Sequence, residues 1–507
     1  MKRYLMLIGI FAFSASCNND VLDKVNPNEL SIDTYFKTGN DIVSAVNAAY
    51  SSLQAQQLYA REYFFLHDMR SDEMQPGGGQ LEAHRAQVLN GVHRVDNQVV
   101  TDVWQGWYRV IHQANTVIEY APKATEEVTG ELKNRVVGEA KFLRGWAYFE
   151  LVSLWGGVPL ITSVAMSPGQ TQPRATEEAV YDRAIADLTD AVAYLPPRSQ
   201  YPDDQVGRAS RGAAQAMLAR VYLQRGQYAQ ARPLLESIVS SGEYRLTDAY
   251  SDNFTEENEF NPESVWEVSF SEAFGDFNWS NSGEGTNNEI TFRAQEYGPT
   301  AWRNLIPSNR LLNEFESAGK GDPKDDPRYQ YSFYSIGDPY NNGLDVLKAE
   351  QVQGAEPKVS WKKYQKLYKA PAENFVKSGI NFRVIRYAEV LLMAAEVENE
   401  LGNPAKAVEY LNLVRSRADV QMPPYPTSRF PGRNQAEVFD ALVHEKMVEL
   451  AGEQVRNRDL LRWRKLNKLN NDPLPYFQAG KHERLPIPAL EVSNNDKLGP
   501  NDQNPGY

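Results

Sequence analysis

The chain has 507 residues, 42% of them hydrophobic and 11% aromatic, which is long and apolar enough for a large folded core. Its formal net charge is −13 at pH 7, and lysine and arginine do not cluster, which argues against a nucleic-acid-binding protein. A single cysteine excludes an intrachain disulfide.

The N-terminus predicts a lipoprotein signal. A basic start precedes a short apolar run at residues 5–13, and small residues lead directly into Cys17. This order is typical of a secretory signal peptide over residues 1–16. The small residues before the cysteine resemble the lipobox of bacterial lipoproteins. That resemblance implies lipidation of Cys17 and a tether over residues 17–30.

Helical periodicity dominates the first half of the chain. Residues 42–53, 103–120, 131–155 and 176–195 are predicted helices, with Thr176 as an N-cap. The strongest pattern lies in residues 139–160. Its apolar side chains recur at three- and four-residue steps and predict one buried face: Phe142, Trp146, Phe149, Val152 and Trp155. Glu139, Lys141, Arg144 and Glu150 are predicted largely elsewhere on this helix, which ends at Gly156–Gly157.

Two later stretches, residues 211–242 and 387–418, resemble tetratricopeptide helix pairs, because small residues recur where the two helices approach. Residues 435–464 read as one long helix. Between these parts, residues 251–379 are rich in Asn, Gly, Ser, Pro and aromatic residues. Short strands are predicted at residues 264–270 and 361–364, and a helix over residues 306–315. Long irregular insertions of this kind are often functional.

Several segments together resemble the SusD/RagB family. They are WQGWYRVIHQAN at residues 104–115, EAKFLRGWAYFELVSLWGGVPL at 139–160, RYAEVLLMAAEVENELG at 386–402 with YLNLVRSRA after it, the late helix with Glu445, Glu449, Arg456, Asp459, Arg462 and Trp463, and LPIPALEV with the final QNPGY. The segments follow the expected order. Lys446-Met447 departs from the paired basic residues common in the family.

The resemblance implies a mainly α, SusD-like domain over residues 31–507. A helical scaffold would occupy about 31–250 and 380–507, and a loop-rich ligand-face insertion with a few short strands about 251–379. The implied protein is a lipid-anchored lipoprotein of the Bacteroidetes outer membrane that faces outward. It would capture oligosaccharides, or peptides in some members, and deliver them to a SusC-type TonB-dependent transporter.

No motif in the sequence indicates catalysis, a metal or a cofactor. The six histidines lack zinc-ligand spacing, and neither a Gly-x-Ser-x-Gly elbow nor a phosphate loop is present. We therefore expect a binding protein and no enzyme, cofactor or metal. Three alternatives stay open: a peptide-binding member of the family, a surface glycoside hydrolase, and a protein that binds only other proteins.

Sugar rings stack on aromatic side chains, and their hydroxyls bond to amides, carboxylates and arginine. The insertion supplies this mixture, and a Gly-rich loop at residues 67–79 adds polar side chains. This Gly-rich loop is predicted to be exposed, because three glycines follow a proline. The predicted ligand contacts are Phe274, Phe277, Trp279, Asn281, Tyr297, Trp302 and Tyr334 from the insertion, and Asp68, Arg70 and Asp72 from the Gly-rich loop.

Overall fold

The computed structural model describes residues 35–125, 128–164, 169–273, 289–316, 325–373, 377–469 and 471–507. Cys17 lies outside these residues, as do four of the predicted ligand contacts: Phe274, Phe277, Trp279 and Asn281.

The fold is mainly α, with a few short strands, as the resemblance implied. Its helices in chain order are α1 Gly39–Ser51, α2 Glu62–Met69, α3 Ala83–Leu89, α4 Gln98–Tyr120, α5 Gly130–Trp155, α6 Glu177–Tyr194, α7 Arg211–Gln224, α8 Tyr228–Ser240, α9 Arg293–Tyr297, α10 Asn309–Glu314, α11 Pro327–Ser332, α12 Tyr387–Glu400, α13 Pro404–Arg415, α14 Gln435–Glu449, α15 Arg456–Lys465 and α16 Ala489–Asn494. Several begin as the sequence predicts: Thr176, for example, accepts a hydrogen bond from the Ala179 amide at the start of α6.

Helix α5 lies at the centre, packed against α4 on one side and α6 on the other. Its predicted apolar face is buried, and Trp146 meets Trp107 and Trp266 edge-on. Glu139, Arg144 and Glu150 of the same helix are also buried, so burial extends beyond the predicted apolar face. Each is neutralised by a distant partner, as Arg144 is by both carboxylate oxygens of Asp187 at 2.8 Å. The helix is therefore buried around most of its circumference.

The two tetratricopeptide-like segments form the expected helix pairs, α7 with α8 and α12 with α13. Helix α8 also packs against α12, which brings the two pairs together although 146 residues separate the ends of α8 and the start of α12. Ala231 and Ala407 are fully buried, because their small side chains allow the paired helices to approach closely.

The strands form four two-stranded antiparallel sheets within the described part of the chain. They are β1 Met74–Pro76, β2 Ser264–Val268, β3 Leu305–Pro307, β4 Phe333–Ser335, β5 Pro339–Tyr340, β6 Asp345–Val346, β7 Val359–Trp361 and β8 Phe382–Arg386. The pairs are β1 with β3, β2 with β8, β4 with β7, and β5 with β6. The β1–β3 pair joins the Gly-rich loop to the insertion.

Two predicted helices differ in the structure. Residues 435–464 form two helices, α14 and α15, because Gly452 adopts a φ of +67° and lies against the ring of Trp361. A side chain at position 452 would collide with that ring. Residues 306–315 begin as strand β3, and only Asn309–Glu314 is helical. Among the described residues, no helix combines the length and apolar character needed to cross a bilayer.

Candidate functional site

The structure places the predicted polar contacts of the Gly-rich loop in the interior, so the prediction of an exposed loop was wrong for this stretch. Asp68, Arg70 and Asp72 are 1%, 4% and 7% exposed. Asp68 accepts hydrogen bonds from Tyr297 at 2.9 Å and from Gln454 at 2.8 Å, and burial raises its pKa to about 6. These contacts tie α2 to the insertion and leave Asp68 no surface for a ligand.

Asp72 is engaged by two guanidinium groups. Arg456 binds both of its carboxylate oxygens at 2.7 and 2.9 Å, and Arg310 approaches within 2.6 Å. Burial alone would raise the pKa of Asp72, but these cations outweigh it and lower the pKa. Asp72 therefore acts as a structural anchor. Arg70 differs from it, because its described contact is the backbone oxygen of His482 at 3.0 Å.

Two of the predicted aromatic contacts are also core residues. Tyr297 is fully buried against Phe64 and Phe65, and Tyr334 is 1% exposed beneath the Lys362 ammonium. Their rings cannot stack on an external sugar in this conformation. The insertion thus uses part of its aromatic content for its own core.

Trp302 is half-buried at the protein surface, where three loops meet. Gly77 donates from its amide to the Asn304 oxygen at 3.1 Å and accepts from the Ala355 amide at 2.7 Å. The buried Arg303 guanidinium donates to the oxygens of Gln353 and Ala355 at 2.6 and 3.0 Å, which fixes the third loop. We call this region, formed by residues 77–80, Trp302 and residues 353–356, the Trp302 surface.

Glycine is required where these loops touch. A Cβ on Gly78 would collide with the backbone oxygen of Trp302, and a Cβ on Gly354 would collide with that of Gly77. The three-glycine run therefore permits close backbone packing beside the tryptophan. Gly79 and Gln80 next to it are exposed, as are Gln353 and Glu356. A half-buried indole with amides around it provides the chemistry that a sugar ring and its hydroxyls require.

A cavity of about 640 Å³ lies between α1, α4, the 204–208 loop and β2. We call it the Gln54 cleft. The Gln54 amide donates to the Ser269 oxygen at 2.8 Å and to the Glu289 carboxylate at 3.1 Å, and these two residues flank the segment that carries Phe274 to Asn281. The cleft therefore opens at the base of the predicted aromatic loop. Its volume suits an oligosaccharide of a few rings.

The walls of the Gln54 cleft combine polar and apolar groups. Arg208 donates to Asn47 at 2.9 Å, and Arg109, Gln113 and Gln205 face the same space. Trp266 is 3% exposed at the back, and its indole N–H has no acceptor among the described residues. Sequence reasoning missed these residues because they come from four distant segments, and local periodicity carries no signal that brings them together.

Within the described residues, no three His, Cys, Asp or Glu side chains converge to hold an ion. The Trp302 surface and the Gln54 cleft provide amides, guanidinium groups and indoles, and the carboxylates of Asp204, Glu267 and Glu289 also line the cleft.

Comparison with known proteins identifies the family of this chain. A family model described as "SusD family" matches residues 262–507, and one described as "Starch-binding associating with outer membrane" matches residues 20–223. The chain belongs to the SusD/RagB family. SusD-like protein P25 of Formosa agariphila is 26% identical over the full length of both chains, and SusD-like protein P2 of the same organism is 27% identical.

Solved SusD structures share the fold. A laminarin-binding SusD-like protein is 27% identical, and the match covers 93% of this chain and all of that one, with a TM-score of 0.75. A SusD superfamily protein from Bacteroides vulgatus is 24% identical over 94% of this chain and all of that one, with a TM-score of 0.76. At 24% identity, the match to the Bacteroides vulgatus protein is evidence for a shared fold only. The family includes carbohydrate-binding proteins at the outer membrane, and its two models together match residues 20–223 and 262–507 of this chain.

Proposed function

We propose that this SusD-family chain captures oligosaccharides at the cell surface and delivers them to a SusC-type TonB-dependent transporter without cleaving them. The observation that carries the proposal is the 27% identity, over nearly the whole chain, to a protein that binds laminarin. Similarity of that extent includes the scaffold and the insertion together. Lipidation of Cys17 and an outward orientation complete the proposal, and both rest on the N-terminal sequence.

The ligand would lie on the Trp302 surface and reach the Gln54 cleft. One segment links the two regions, because Glu289 lines the cleft and Trp302 follows on the same stretch after α9. A pyranose ring would stack on the exposed part of the Trp302 indole, and its hydroxyls would bond to neighbouring amides. Trp279 and Phe277 lie outside the described residues and remain predicted contacts.

Calorimetric titration of residues 18–507 tests the proposal. The ligands are laminarihexaose, other neutral oligosaccharides and a mixture of short peptides. We expect saturable binding of at least one neutral oligosaccharide and none of the peptides. Binding of peptides alone would replace the proposal with the peptide-binding alternative, and release of shorter sugars would reveal a hydrolase.

The substitution Trp302→Ala locates the ligand. We expect its affinity for the bound oligosaccharide to fall about tenfold, equivalent to about 1.4 kcal/mol of lost stacking. Tyr194→Ala is the matched control, since Tyr194 is 40% exposed at the end of α6 in the helical scaffold. Equal affinities for the two variants and the parent chain would remove the Trp302 surface from the binding site.

A further inference from the structure

A second cavity, of about 620 Å³, lies between the 90–95 loop, residues 475–482 and residues 506–507. We call it the Tyr476 pocket. Aromatic rings of Tyr476, Phe477 and Tyr507 form its walls. None of its lining residues belongs to the Trp302 surface or to the Gln54 cleft. Its size is within the range of small-molecule binding sites.

The walls of the Tyr476 pocket are held in place by the fold. Gly91 has a φ of +68°, and the Tyr476 ring occupies the space that a side chain at position 91 would need. His482 accepts at Nδ1 from the Gln478 amide at 2.9 Å, which leaves its Nε2–H to donate to the Gly91 oxygen, also at 2.9 Å. Both ring nitrogens of this histidine are thus used to join two sides of the pocket. These contacts hold the two walls of the pocket together.

The charged side chains that line the Tyr476 pocket are cations, although the whole chain is acidic. Arg94 and Lys481 line it, and none of its described lining residues is an aspartate or a glutamate, whereas the net charge of the protein is −13. Two acidic residues adjoin the lining in sequence without belonging to it. Asp96 lies 3.9 Å from Arg94 and is 71% exposed, and Glu483 accepts from the Gly480 amide at 2.9 Å. Cationic side chains in the lining of a pocket favour an anionic ligand.

A buried cation behind the pocket strengthens this field. Arg70 is 4% exposed and donates to the oxygen of His482, whose side chain lines the pocket. Its Nε has no acceptor among the described residues, and the hydrogen bond to His482 is its described contact. By contrast, the buried Arg386 pairs with three carboxylates. Burial lowers the pKa of Arg70, as expected for a charge without a partner.

We propose that the Tyr476 pocket binds a saccharide unit that carries a carboxylate or a sulfate ester. The sugar ring packs against Tyr476, Phe477 or Tyr507, and the acidic group lies near Lys481 and Arg94 within the field of Arg70. That field acts through a poorly solvated interior, where the attraction between charges is stronger than in water. The inference rests on the proposed function in taking the ligand to be a saccharide.

Calorimetry with three tetrasaccharides tests this pocket: one of galacturonic acid, one of sulfated galactose and one of neutral galactose. We expect at least one acidic ligand to bind ten or more times tighter than the neutral one at 50 mM NaCl. The preference should shrink several-fold at 300 mM NaCl, because salt screens the exposed cations. Equal affinity for acidic and neutral ligands would overturn the proposal, as would binding of inorganic sulfate with no gain from the sugar.

Two surface substitutions test whether the acidic ligand binds in the Tyr476 pocket. Lys481→Gln and Arg94→Gln should each weaken its binding at least threefold, and Lys406→Gln, an exposed lysine on α13, should leave it unchanged. Arg70→Gln should weaken it further, and because that variant changes a buried group, the two surface variants decide the outcome. Unchanged affinity in both would refute the pocket.

The same measurements separate this inference from the proposed function. Lys481→Gln should leave laminarihexaose binding unchanged, and Trp302→Ala should leave acidic-ligand binding unchanged. If acidic ligands bind and neutral glycans do not, the neutral capture site is wrong and the Tyr476 pocket stands. If only neutral glycans bind, the pocket inference fails and the proposed function stands.

Discussion

At the residue scale, buried carboxylates in this protein fall into two groups according to their partners. Glu150 accepts a hydrogen bond from the Arg458 guanidinium at 2.6 Å. Burial alone would raise the pKa of Glu150, but this cation outweighs burial and the pKa falls to about 2. Glu73 is equally buried but accepts from the Gly452 amide at 3.1 Å, and burial raises its pKa to about 8. The local partner, rather than the depth of burial, decides the sign of the shift.

Glu73 makes a pH prediction possible. In the folded state Glu73 keeps its proton up to about pH 8, whereas in the unfolded chain it loses the proton near pH 4.5. The free energy of unfolding therefore falls as the pH rises between these two values. In Glu73→Gln we expect the free energy of unfolding to decline less from pH 5 to pH 8 than in the parent chain. The difference should be at least about 1.4 kcal/mol, the equivalent of one pKa unit.

Urea titrations of both proteins at several pH values measure this difference. Glu150→Gln serves as the opposite control, because the folded pKa of Glu150 is depressed. Its contribution to stability is present above about pH 4.5 and is lost as the pH falls toward 2. Parallel pH profiles for Glu73→Gln and the parent chain would contradict the assignment of a neutral Glu73.

At the element scale, helix α5 buries more of its surface than the apolar face predicted from its sequence. Its neighbours α4 and α6 pack so closely that two glycines of α5, Gly138 and Gly145, face side chains of the α6 region directly. A Cβ on Gly145 would lie 2.9 Å from Leu188 Cγ and 3.1 Å from the Ala184 oxygen. The charged residues on the remaining faces are buried because partners from other helices neutralise them.

Gly145→Ala should therefore destabilise the protein even though alanine favours helices. The propensity gain of about 1 kcal/mol is opposed by overpacking of about 1–3 kcal/mol against α6. Gly130→Ala is the control on the same helix, since nothing lies within 4 Å of its Cβ position. Thermal melts should show a lower Tm for Gly145→Ala and an equal or higher Tm for Gly130→Ala. A raised Tm in Gly145→Ala would contradict the packing argument.

At the scale of the whole molecule, buried ion pairs join the insertion to the C-terminal helices. Arg386 of β8 binds Glu263 at 2.8 Å, Glu449 at 2.7 Å and Glu453 at 2.7 Å. Arg328 and Lys363, both from the insertion, also contact carboxylates at 449 and 453. Removing one partner would leave an uncompensated buried charge, which is strongly destabilising. The ion pairs of Glu263, Arg328 and Lys363 described here each have one partner in the insertion and one in the scaffold. Separating the two parts would therefore break buried ion pairs.

This network predicts that insertion and scaffold unfold together. Far-UV circular dichroism follows the helical scaffold, and tryptophan fluorescence also follows Trp361 of the insertion, which is fully buried. We expect the two denaturation curves to coincide, with a calorimetric enthalpy close to the van't Hoff value. A separate early transition in fluorescence would show that the insertion is an independent unit.

The sequence by itself determined most helix positions, the two tetratricopeptide-like pairs and the family, because helical periodicity, caps and glycine stops are local properties. It placed α5 and the Thr176 cap correctly. It could not determine that Asp68 and Asp72 are buried, since their partners Gln454 and Arg456 lie more than 380 residues away in the chain.

Tertiary structure also decided the break between α14 and α15, where Gly452 must leave room for Trp361. It created the Gln54 cleft and the Tyr476 pocket from segments that are remote in sequence. The physical reason is that close packing and polar burial both depend on partners that are remote in sequence. Burial of a polar side chain is favourable only when a specific partner meets it, and that partner is supplied by the fold rather than by neighbouring residues.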